Sequence, residues 1–196
     1  MKLDLFKYED FDETLSNYEF NSFYDLSEFT NIEFNNCLFK KIVANNTIFT
    51  NCYFFDCNFE NVDLSNSKFN NCSFIRTKIK ESKLVGCDFE GSSFKKVEIL
   101  SSDNTYNNFS NTNLKEVLFK DNKMLKFGIN ETIFSKTKFD NCNLDGAEIS
   151  NTSLQLIDFS TCSINNLLID KYSLNGLSVN EEQALALSKL LGIIIK

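Results

Sequence analysis

Cysteine gives this chain its widest choice of chemistry. The sequence carries Cys37, Cys52, Cys57, Cys72, Cys87, Cys142 and Cys162. Thiols can pair as disulfides, hold soft metals or act as nucleophiles. An odd number of them fits a disulfide framework poorly. Histidine, the commonest general base and metal ligand, is absent altogether. The carboxylates fall in no paired arrangement of the kind that general acid–base chemistry uses. No catalytic group, metal site, cofactor or small-molecule substrate is therefore expected, and the chain reads as a non-enzyme.

The elements that hold the cysteines explain them. From Tyr24 to Val179 nearly every fifth residue is large and apolar: Phe29, Phe34 and Phe39, then Phe49, Phe54 and Phe59, and so on to Ile164, Ile169 and Leu174. Of these 32 positions only Asn104 is plainly polar. A period of five belongs neither to a helix nor to a simple strand. Two residues before each of these centres lies a small residue, and all seven cysteines fall in that column beside Ser67, Thr77, Ser92 and Ala147. Positions two apart in extended chain point the same way, so both columns face inward. Cysteine here is a small buried hydrophobe, suited to a reducing compartment.

Two residues after each centre stand the corner residues. Asn31, Asn36, Asn46, Asn51, Asn61, Asn66 and Asn71 are followed there by Asn111, Asn141, Asn151 and Asn166, with Gly86, Gly91, Gly146 and Gly176. These types accept turn dihedrals at low cost. With no proline in the sequence, no backbone N–H is missing from a hydrogen-bond ladder.

Units such as CDFEG, NCSFI, TNLKE and CNLDG resemble the A(D/N)LXX pattern of the pentapeptide-repeat family. The resemblance covers about four-fifths of the chain. It implies an all-β solenoid, a right-handed quadrilateral β-helix of about eight coils with four pentapeptides to each. Residues 1–20, where Phe6, Tyr8 and Phe11 leave the register, are expected to form an N-terminal cap, and residues 21–179 the β-helix. Residues 180–196 should be a helix and dimerisation segment. Asn180 suits a helix N-cap, Gln183 the third helical position of a capping box, and Gly192 the stop. Ala184, Leu187, Leu190 and Leu191 would form an apolar stripe, and Ile193, Ile194 and Ile195 an apolar strand. A symmetric dimer through Leu187, Leu190, Leu191, Ile193, Ile194 and Ile195 would cover them. Around Ser102, Asn104 and Asn107 polar residues replace core ones, and Phe127 puts a large ring in the small column, so local bulging is expected.

The net charge is −7, but residues 1–20 hold six acids and two lysines, leaving the repeat region at only −3. Grouping outward positions by twenties places Glu28, Asp88, Glu90, Glu131, Glu148 and Asp170 on one side, with Lys68 and Lys171. The next side carries Arg76, Lys95, Lys96, Lys115 and Lys136 against Glu33, Asp56 and Glu116. An acidic face could meet a basic groove. Nothing resembles a basic, aromatic-interleaved nucleic-acid surface. The acid-rich start is unlike a signal peptide and no run is long enough to span a membrane, so a cytoplasmic location is expected.

The ending LLIDKYSLNGLSVNEEQALALSKLLGIIIK is similar to that of the Qnr-type quinolone-resistance proteins, through Leu174, Gly176, Val179, Gln183, Leu190, Leu191, Gly192 and Ile193. That resemblance implies a C-terminal homodimer whose rod mimics duplex DNA, engages a type II topoisomerase (DNA gyrase or topoisomerase IV) and protects it from quinolones. The unbroken register leaves no room for the projecting loops common in that group, except around residues 101–108. A structural or scaffold solenoid with another protein partner is the alternative.

Overall fold

The computed structural model describes residues 13–21 and 28–194. The chain winds as a parallel solenoid of about eight coils. Its four faces are named here after the inward residues of one coil: Phe49, Phe54, Phe59 and Leu64. On the Phe54 face seven parallel strands run from Glu13–Ser16 to Ile133–Ser135. The Phe59 face has seven more, from Glu19–Phe20 to Lys138–Asp140. Strand partners are twenty residues apart, so Phe34 pairs with Phe54, Phe54 with Phe74 and Phe74 with Phe94.

The other two faces are shorter for a reason visible in their corners. After Leu64 and Leu84 the chain closes a hydrogen-bonded turn, Ser67 N–H to Leu64 O and Cys87 N–H to Leu84 O. Positive φ at the third turn residue, Asn66 and Gly86, is the type II geometry. That turn leaves only single-residue bridges on the Leu64 face, such as Asp63 with Lys83 and Asn143 with Ser163. A similar turn, Ser92 N–H to Phe89 O, interrupts the Phe49 face. It divides that face into two three-stranded sheets joined by the bridges of Lys68, Asp88, Asn108 and Gly128.

Identical side chains stacked at one strand spacing form the core. Phe34, Phe54, Phe74 and Phe94 lie nearly parallel, with ring centroids 5.0, 4.8 and 4.7 Å apart. Rings on adjoining faces meet edge-on, as Phe49 does Phe54 at 70°. Both geometries suit the aromatic quadrupole. Every corner asparagine and glycine named above has positive φ, and so do Lys41, Asp56, Glu81, Tyr106 and Leu156 at equivalent corners. The left-handed corner is set by the coil, and asparagine or glycine merely lowers its cost.

Three expectations change. The coil does not begin after residue 20: Leu15 pairs with Phe34 and Phe20 with Phe39, one residue out of the later register. Tyr24, Phe6, Tyr8 and Phe11 lie outside the described residues. The region of Asn104 does not bulge, because its asparagine amides find partners inside the core, although the buried Thr105 hydroxyl has none among the described residues. Asn107 Oδ1 accepts from Cys87 N–H at 2.9 Å, and its amide donates to Asn104 Oδ1 at 3.2 Å. Asn122 accepts from Ser102 N–H and donates to Ile99 O. Phe127 packs 5.1 Å from Phe109, filling the space beside these amides. The third change concerns helix α1 (Glu181–Ser188), which is capped by Asn180 and Gln183 as the sequence suggests and followed by a 3-10 turn ending at Gly192. It seats Gln183 and Leu187 on the last coil, while Ala184 and Leu190 face outward.

Candidate partner-binding surface

The coil brings all six expected carboxylates to the Phe49 face and its following corner. Glu28 and Glu148 occupy the same strand position, joined through Ile48, Lys68, Asp88, Asn108 and Gly128 by successive pairings. At about 4.8 Å per coil they stand some 29 Å apart along the rod. Glu28, Glu131 and Glu148 point outward, and their carboxylates have no hydrogen bond or ion pair among the described residues. The other three also serve the fold. Asp88 accepts from Asn108 Nδ2 at 2.9 Å and from Glu90 N–H at 3.2 Å. Glu90 accepts from Asn111 Nδ2 at 3.1 Å. Asp170 accepts backbone N–H bonds from Ser173 and Asn151, at 2.8 and 2.6 Å. The Ser173 bond is the leading cause that holds the Asp170 carboxyl below its ordinary range.

Ion pairing sets this face apart. On the Phe59 face and its following corner charges cancel, through Lys40–Glu60, Lys78–Glu98, Lys80–Glu81 and Lys120–Asp140. The Leu64 face does the same with Lys83–Asp63 and Lys123–Asp103. At the corner between the Phe54 and Phe59 faces Arg76 grips both oxygens of Asp56 at 2.6 Å. No ion pair lies on the Phe49 face among the described residues. Of the basic side, Arg76 is neutralised. Lys95, Lys96, Lys115 and Lys136 stay exposed and unpaired among the described residues, Lys95 directly opposite Lys115 on the next strand. An acidic face thus adjoins a basic strip, and the remaining two faces are balanced. The order of charges along the sequence gave no warning of this, because every pair but Lys80–Glu81 joins residues twenty apart.

At the C-terminal end the expected dimerisation residues separate. Leu187 is only 9% exposed because it packs on its own last coil. Leu190, Ile193 and Ile194 are exposed, Ile194 at 85%. The Leu191 side chain and Ile195 lie outside what is described. Reasoning from the helix alone missed the second role of Gln183. Its amide donates to Phe159 O at 2.9 Å and Cys162 O at 2.7 Å, tying the helix to the last coil. All seven cysteines are free and buried. No group of three or more His, Cys, Asp or Glu residues that could hold a metal ion occurs among the described residues. No helix is long and apolar enough to cross a membrane among the described residues.

Two family models match the repeat region. A family model described as "Pentapeptide repeat region" matches residues 22–104 and 52–129, and one described as "Pentapeptide repeats (8 copies)" matches residues 130–166. A search of curated proteins returns no match. Among solved structures, a trypsin-treated variant of QnrB1, a plasmid-mediated fluoroquinolone resistance protein, is 23% identical, with 93% of this chain and 97% of that one covered and a TM-score of 0.47. A second trypsin-treated QnrB1 variant gives 21% identity, 94% and 99% coverage and a TM-score of 0.48. HetL, a pentapeptide repeat protein involved in heterocyst differentiation regulation in the cyanobacterium Nostoc sp., gives 9% identity, 86% and 87% coverage and 0.43. The period, the four-faced coil and the family models converge: this chain belongs to the pentapeptide-repeat family.

Proposed function

We propose that this protein binds a type II topoisomerase, presenting the Phe49 face to the enzyme's basic DNA-binding groove, and so protects it from quinolones. The observation that carries the reading is the segregation of charge. The rod neutralises two of its faces by ion pairs and leaves Glu28, Asp88, Glu90, Glu131, Glu148 and Asp170 unneutralised along one side. Fixed carboxylates at regular spacing on a rigid shaft steer a cationic groove and lose little entropy on docking. The similarity of the C-terminal sequence to Qnr-type proteins supports the choice of enzyme. In this reading two copies join through Leu190, Ile193 and Ile194, which lengthens the rod. Protein titrated into a gyrase supercoiling reaction inhibited by a quinolone should restore supercoiling.

A second reading has its own observation. The coil runs without a projecting loop across residues 101–108 and throughout the described residues, and its acidic face adjoins the strip of Lys95, Lys96, Lys115 and Lys136. Such a surface suits a scaffold for a partner of mixed charge. Failure of rescue together with absence of gyrase binding at micromolar protein would favour it.

A further inference from the structure

Cys142 and Cys162 occupy equivalent places in the last two coils, beside the bridge of Asn143 with Ser163 and the bond from Ser163 N–H to Cys142 O. Stacked residues on neighbouring strands lie about 4.8 Å apart. That is inside the range of Cα separations, about 4.4–6.8 Å, that a disulfide spans. Cys37 with Cys57 and Cys52 with Cys72 stack in the same way, so proximity alone does not single out the last pair.

Two observations do. Six of the seven thiols donate to backbone carbonyls; Cys142, for example, donates to Phe119 O at 3.4 Å. Cys162 donates to no carbonyl among the described residues, and its sulfur has the Cys142 thiol as neighbour. Cys162 is also the one cysteine with no coil stacked beyond it. Helix α1 covers it through Gln183 and Leu187, and between helix and coil lies a cleft of about 950 Å³ that both Cys142 and Cys162 line. Its exposure is 7%, against 2% or less for the other six. The neighbouring Cys142 thiol is the leading cause that lowers Cys162 to about 7, as Cys57 does for Cys37, and Cys142 is raised in turn. Cys162 is therefore the thiol of the pair that ionises first.

We propose that Cys162 and Cys142 form a peroxide-sensitive dithiol site beneath helix α1. The Cys162 thiolate attacks one oxygen of hydrogen peroxide, breaking the O–O bond. It becomes a sulfenic acid, and hydroxide leaves. The Cys142 sulfur then attacks Cys162 Sγ, forming the disulfide and expelling the sulfenic oxygen as water with the proton of Cys142. Two thiols are oxidised and one peroxide is reduced; the hydroxide takes up the proton that Cys162 released on ionising, so two waters result. A cleft of this size admits a molecule little larger than water.

The full-length protein, treated with hydrogen peroxide, alkylated in denaturant and digested without reductant, should yield a Cys142–Cys162 crosslinked peptide first. Cys52, Cys72 and Cys87 should remain alkylated. In Cys142→Ser, dimedone should capture a sulfenic acid at Cys162; in Cys162→Ser, Cys142 should stay reduced. Should either variant misfold, native alkylation of the unaltered protein decides, with Cys162 expected to react at least about tenfold faster than Cys52. Equal rates at Cys162 and Cys52, simultaneous crosslinking of Cys52 with Cys72, or undiminished oxidation of Cys142 in Cys162→Ser would overturn the proposal.

Discussion

The side-chain amide of Gln183 reaches from helix α1 to the carbonyl oxygen of Phe159, donating at 2.9 Å across the open end of the last coil. The same side chain bonds Cys162 O and accepts from Asn180 N–H. Gln183→Ala removes all three bonds and leaves the Cys162 carbonyl without its donor, while Phe159 O keeps the bond from Cys162 N–H. At about 0.5–1.5 kcal/mol per bond, it should destabilise the protein by about 2 kcal/mol. Urea unfolding followed by circular dichroism measures this. A change of only a few tenths would show that water replaces the amide and that the helix is not held by it.

Leu156 sits at a corner with φ of +68° and is 89% exposed. A branched side chain gains nothing there from packing and bears the cost of the left-handed region, which asparagine tolerates better. Leu156→Asn should therefore stabilise the protein, by up to about 1 kcal/mol. A thermal midpoint below that of the unaltered protein would contradict this view of the corner.

Much of this architecture was legible because five-residue periodicity acts locally at every position. Phe34, Cys52 and Asn66 each read correctly as centre, small column and corner. What could not be read depended on neighbours twenty residues away or at the ends. Leu15 joins the core one residue out of phase because its coil is a residue short. Asn104 suggests a defect until Ser102, Asn107 and Asn122 are seen to bond around it. Gln183 and Leu187, not the stripe including Ala184, face the coil, since a helix laid across the solenoid's end buries one edge rather than a full stripe. The six carboxylates were gathered correctly by counting in twenties. Their contrast with the paired faces required side-chain contacts such as Lys120 with Asp140.

Phe74 stacks between Phe54 and Phe94 and meets Phe69 and Phe89 edge-on. Phe74→Ala leaves a cavity in mid-shaft where no side chain can move in without breaking a neighbouring stack. A loss of about 3–5 kcal/mol is expected. Phe134, on the last strand of the same face and only partly buried, should cost less on the same substitution. Equal losses at the two sites would contradict the dependence on burial and stacking.

The Asp170 carboxylate is charged and bonded by Ser173 and Asn151 in the fold, so its pKa is lowered on folding. A lowered carboxyl contributes stability above its unfolded value of about 3.9, and that stability is lost as pH falls through the folded value. Asp170→Asn should thus cost stability near neutrality. The difference from the unaltered protein should shrink as pH is lowered from about 6 toward about 3. Denaturant midpoints across that range provide the measurement; a constant difference would assign the effect to shape rather than charge.

The central claim is that the unneutralised carboxylates of the Phe49 face engage a topoisomerase. The most direct measurement is the dissociation constant for DNA gyrase of the unaltered protein and of Glu90→Lys/Glu131→Lys/Glu148→Lys, each shown to be folded. The account predicts salt-sensitive binding that weakens by at least about a hundredfold in the triple variant, since rim charges of this kind control association and its salt dependence. Equal affinity in both proteins, or no binding by either, would contradict it.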